Sequence, residues 1–106
     1  MTREDPVETL LRLLRGFARL RAGVIDILEA SGQERFKIHI SSLIRAKREE
    51  PTSYVVEDLL HELSAPTYSE RLERLGISIV EDKGEVYVEA PTSLLLKLRR
   101  ELETGE

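Results

Sequence analysis

Few side chains in this chain could do chemistry. The two histidines, His39 and His61, are its only imidazoles, and there is no cysteine. A zinc centre needs thiolates or imidazoles at short spacings such as H-x3-H, and these two histidines stand alone and far apart. The lack of cysteine removes thiolate ligands, thiol nucleophiles and disulfides together. No serine lies in a G-x-S-x-G nucleophile elbow. Gly84 falls between two strand-like runs, not in a glycine-rich loop opening a helix, so no phosphate cradle is encoded there. His61, near Asp58 and Glu62, reads as a partly exposed helical residue. No catalytic residue, metal, cofactor or small-molecule substrate is expected.

The chemistry that remains is electrostatic. Twenty acidic residues outnumber sixteen basic ones, for a net charge of −4. The cations are clustered as Arg12/Arg15/Arg19 on a narrow helical arc, Arg35/Lys37, Arg45/Lys47/Arg48 and Arg99/Arg100. Such clusters can track phosphates. The competing reading is solvated faces laced with ion pairs, with Glu8 one turn before Arg12, Asp26 two turns after Arg19, and Glu49 and Glu50 beside Arg48. The acidic balance argues against a general nucleic-acid coat, which must displace many phosphate counterions. If nucleic acid binds, Arg45, Lys47 and Arg48 are the candidates, with Lys37 and His39 beside them.

The elements that would carry these residues follow from periodicity. Met1 to Asp5 is polar and expected to fray. Asp5-Pro6 has the chemistry of a helix start, and Leu10, Leu13, Leu14, Phe17, Leu20, Val24, Ile27 and Leu28 recur on one helical face. Ser31-Gly32 ends the run, which predicts one long helix over residues 6–31. A second stripe on that helix, Leu11, Gly16, Ala18, Gly23 and Ile25, is a candidate homodimer seam; the alternative is that another part of the same chain covers it. RFKIHI (35–40) alternates as a half-buried strand should. Ser41-Ser42 would then cap a helix over 43–50; a helix running from Ile38 to Glu50 is the other option. Thr52 and Ser53 are expected to cap a helix with Val55, Val56, Leu59, Leu60 and Leu63 on its buried side. Ser64-Ala65-Pro66 makes a turn, Thr67 caps the next helix, and Gly76 ends it. Ile77, Ile79, Val86 and Val88 alternate around Asp82-Lys83-Gly84 as a hairpin. Thr92 or Ser93 caps a last amphipathic helix over 92–103, with Leu94, Leu95, Leu98 and Leu102.

A chain of 106 residues, 41% hydrophobic and 34% charged, fits one soluble domain. The residues MTREDPVETL hold no apolar signal core, which predicts a cytoplasmic location, and no run is long enough for a bilayer. Asn and Trp are absent and Gln and Met occur once each, a composition expected of a thermophile.

The stretch LLHELSAPTYSERLERLGISIVEDKGEVYVEA resembles the winged helix-turn-helix superfamily: an apolar helix, a short turn, a second helix ending Leu-Glu-Arg-Leu-Gly, and a hairpin directly after it. The resemblance covers about half the chain. It implies a mainly α fold with a small antiparallel hairpin, a winged-helix unit over 36–90 flanked by the long first helix and the last one. It also implies a DNA-binding regulator or chromosome-associated factor, acting as a dimer. In members that bind DNA the second helix enters the major groove and the hairpin contacts the backbone, which assigns those roles to Thr67–Leu75 and Ile77–Ala90, with Arg71, Arg74 and Lys83 as contacts. This sequence departs from that pattern. Glu70 and Glu73 flank Arg74 on the outer face, and Glu81, Asp82, Glu85 and Glu89 outnumber Lys83. The alternative is a winged helix that docks a basic protein partner as a subunit of a larger assembly.

Overall fold

Asp5 and Pro6 open the first helix as their chemistry predicts: the Asp5 carboxylate accepts from the Glu8 N–H, and proline takes the first turn. The structure, a computed structural model, describes residues 4–104, with side chains described through Glu101; Leu102, expected on the last apolar face, lies beyond those side chains. The described residues are mainly helical with a small antiparallel sheet. Their order is α1 (Pro6–Leu20), α2 (Ala22–Ala30), β1 (Arg35–His39), α3 (Ile40–Ala46), α4 (Val56–Leu63), α5 (Pro66–Leu75), β2 (Ser78–Asp82), β3 (Glu85–Pro91) and α6 (Thr92–Thr104). No helix among them is long and apolar enough to cross a membrane.

The single helix expected over 6–31 is instead two, broken at Arg21 (φ −117°, ψ 34°). The break is held from across the fold: Arg99 on α6 donates to the Ala22 carbonyl at 3.2 Å and to Asp26 at 3.0 Å. With α2 so placed against α6, most of the second apolar stripe is buried, while Gly23 from it and Leu20, Val24 and Ile27 from the first are exposed. The residues proposed as a dimer seam are therefore largely covered within one chain. Ala18 and Ile25 are fully buried, and Leu11 packs against the core. A Cβ on Gly16 would lie 3.0 Å from the Ala46 carbonyl oxygen, so this glycine admits the α3 backbone; above Gly23 there is open space.

The strand reading of 35–40 holds through His39. β3 lies in the middle of the sheet, in the order β1-β3-β2, with Ile38 and Ile79 both opposite Val88. This row faces the helices, and Phe36 meets Phe17 of α1 edge-on at 5.4 Å. The β2–β3 turn has only two central residues, Lys83 (φ 54°) and Gly84 (φ 80°), with Asp82 paired to Glu85. Two positive φ values mark a type I′ turn.

Several helix starts differ from the expected caps. α3 starts at Ile40, capped by His39 Nδ1, which accepts from the Ser41 N–H at 3.1 Å; Ser41 and Ser42 are inside the helix. Thr52 does not cap α4, because its hydroxyl donates to the Glu4 carboxylate. That helix begins only at Val56, and Val55 is exposed, not part of the buried side. α5 starts at Pro66, with Ala65 and not Thr67 at its cap. Its end follows expectation. Gly76 is left-handed, and the Ile77 and Gly76 N–H groups return to the Leu72 and Glu73 carbonyls, both at 2.9 Å.

Candidate interaction surface

The cations named from sequence divide into engaged and free. On the outer face of the sheet, β1 contributes Arg35, Lys37 and His39, and each meets a carboxylate: Glu89 at 3.5 Å, Asp82 at 3.3 Å and Glu85. Lys37 also sits 4.4 Å from the centre of the Tyr87 ring, which His39 contacts edge-on. Because His39 Nδ1 accepts from the backbone, its proton lies on Nε2, facing Glu85. On α5, Arg74 pairs with Glu70 one turn back, and Arg71 grips Asp5 with two hydrogen bonds, at 2.8 and 3.2 Å. Lys47 donates to the Tyr54 carbonyl at 2.7 Å. Arg12, Arg15 and Arg19 reach Glu50 and Glu49 across the gap between α1 and the segment after α3, and Arg12 also reaches Glu4 just before α1, not Glu8 and Asp26 as the local spacing had implied. Of the seven nucleic-acid candidates, Arg45, Lys47, Arg48 and Lys83 have no ion pair among the described residues, and of these Lys47 is held by the Tyr54 carbonyl instead.

Asp5 and Glu4, expected in a frayed terminus, are both tied down, while residues 1–3 lie outside the described set. The Arg71 hydrogen bonds hold the Asp5 carboxyl below the usual aspartate range, against a smaller opposing effect of burial. The Thr52 hydroxyl does the same for Glu4. A carboxyl made more acidic by folding adds stability above its unfolded pKa and loses it as pH falls through the folded one. Arg71→Ala is therefore expected to lower the urea midpoint at pH 7, and the gap from the parent protein should close as pH falls below about 4. A gap that persists in acid would mean that Arg71 acts through packing.

A different surface lies along β2. Two adjoining hollows, of about 370 and 270 Å³, share Ser64 and Ile79 and follow the strand beside α4 and α5. Ile40, Leu60 and Val86 floor the larger, and Leu63 and Leu72 the smaller. Glu57 and Glu81 rim the first and Glu73 the second; none has an ion pair among the described residues. His61 stands at this rim, and no group of three or more metal-binding side chains occurs among the described residues. No protein-family model, no curated protein and no solved structure matches the chain. The surface must therefore be read from its own chemistry. Sequence reasoning missed this trough because residues 40, 57–64, 72–73 and 77–86 meet only in the fold. One signal for it was present: the acidic excess on the hairpin and on the helix before it.

Proposed function

We propose that the chain is a winged-helix docking module, a subunit that meets a basic segment of a partner protein. The winged-helix part of this reading rests on the succession α4, a two-residue link, α5 and the β2–β3 ribbon, with β1 completing the sheet on the far side of β3. The observation that carries the docking part is the state of the charges. Where a winged helix reads DNA, on the second helix and the ribbon, Arg71 and Arg74 are already neutralised by carboxylates of the same chain, as is Lys37 on the adjoining β1, and Lys83 is the one ribbon cation without an ion pair among the described residues. Three of the carboxylates without an ion pair among the described residues, Glu57, Glu73 and Glu81, lie along one apolar trough. Phosphates brought to this face would have to break existing pairs and then meet net negative charge.

A DNA-binding regulator or chromosome-associated factor is the second reading, favoured by the unpaired cations Arg45, Arg48 and Lys83. Fluorescence anisotropy with labelled duplex and single-stranded DNA at low salt separates the two. The expected result is no saturable rise at protein concentrations of about 10 μM, within the range of ordinary non-specific binding. Binding that falls with added salt and vanishes in the double variant Arg45→Glu/Arg48→Glu would replace the docking reading with the DNA one.

A further inference from the structure

β2 is an edge strand: in the order β1-β3-β2 only one of its sides is paired. The other side presents a row of backbone N–H and C=O groups with no strand beside it, a template for another chain. Consecutive residues Ile79, Val80 and Glu81 all line the larger hollow. Side chains alternate between the two faces of a strand, so this lining brings the hollow against the main chain of β2 as well as its side chains, while Val86 of β3 closes its inner side. Ile77 and Ser78 line the smaller hollow in the same way. The trough thus runs the length of β2, with unpaired backbone on one wall, leucines and isoleucine as its floor, and unpaired carboxylates at its rim.

We infer that this trough takes an extended segment of a partner protein in which lysine or arginine alternates with small apolar residues, added to the sheet as a fourth strand on β2. The pairing supplies main-chain hydrogen bonds, and the alternation sends apolar side chains to the floor. The charge argument fixes the sign of the partner. Every cation in Arg71, Arg74, Lys37 and Arg35 is spoken for, whereas Glu57, Glu73 and Glu81 are not. An acidic segment would be repelled, and an uncharged one would leave those carboxylates without partners. The proposal deepens the docking reading and rests on it.

The test is a titration of the full chain, labelled with nitrogen-15, with the synthetic heptapeptide Lys-Val-Lys-Val-Lys-Val-Lys, followed by amide chemical shifts. The expected shifts concentrate in residues 77–82 and 57–64. They should weaken at least about tenfold when every peptide amide is N-methylated, which keeps the side chains but removes the donors. The double variant Glu57→Lys/Glu81→Lys should bind about tenfold more weakly than the parent; both side chains are exposed, and the amide spectrum confirms that the fold is kept. Equal binding by Lys-Ser-Lys-Ser-Lys-Ser-Lys or by the N-methylated peptide would overturn the inference, leaving only charge attraction. So would an absence of shifts at about 1 mM peptide. Shifts centred on Glu70 and the outer face of α5 would refute the trough but keep the docking reading, whose own failure is read separately in the DNA titration.

Discussion

Gly76→Val is expected to lower the unfolding free energy by about 3 kcal/mol, through left-handed strain together with a steric clash. Gly76 sits at φ 78°, where an L-residue loses about 1–2 kcal/mol and a β-branched one more. A Cβ there would also stand 2.7 Å from Pro91 Cγ. That neighbour cannot swing aside as a lysine could, because its ring is fixed to the backbone where β3 passes into α6. The end of α5 and the exit of the ribbon are thus pressed together at one glycine. Gly84→Ala separates the two costs, since Gly84 has a similar φ of 80° but open space around it. In urea unfolding the expected order of damage is Gly76→Val, then Gly76→Ala, then Gly84→Ala at about 1 kcal/mol. Equal losses for the two alanine variants would mean that Pro91 yields without cost.

Elements set by local pattern were legible in advance. The alternation of Phe36 and Ile38, and of Ile79, Val86 and Val88, marked strands, and Gly76 marked the end of α5, because those signals depend on neighbours in sequence. What was hidden depends on distant partners. Gly23 weakens the helix near Arg21 but does not by itself end it; α2 is held in its new direction by Arg99, reaching Ala22 from 77 residues away. Thr52 looks like a cap until Glu4, 48 residues earlier, takes its hydroxyl. The fate of the cations was hidden for the same reason. Arg71 looked free on α5, yet its carboxylate, Asp5, is 66 residues distant. Helical spacing offered Arg12 and Arg19 the wrong partners, since side chains on packed elements meet across the gap between them. The trough is the extreme case: each of its walls was identified as an element, but nothing local placed them side by side.

Leu59→Ala is expected to cost about 3 kcal/mol, within the 2–5 kcal/mol range for a leucine truncated in a closed core. Leu59 is fully buried on α4, which packs against α1 and α3; the cavity would be sealed, with no water to fill it. A domain of this size has about 5–15 kcal/mol in total, so the variant should fold but unfold at a clearly lower urea concentration. Its neighbour Leu60 behaves differently because it belongs to the floor of the trough. Truncating Leu60 extends an existing hollow that solvent already reaches, so Leu60→Ala should cost less, about 2 kcal/mol. The two leucines, adjacent in sequence, then have opposite signatures. Leu59→Ala should weaken the fold while leaving the affinity for the Lys-Val peptide unchanged, and Leu60→Ala should weaken peptide binding more than its stability loss accounts for. If both variants lose stability equally and bind the peptide equally, α4 is only a core helix and its outer side is not a binding wall.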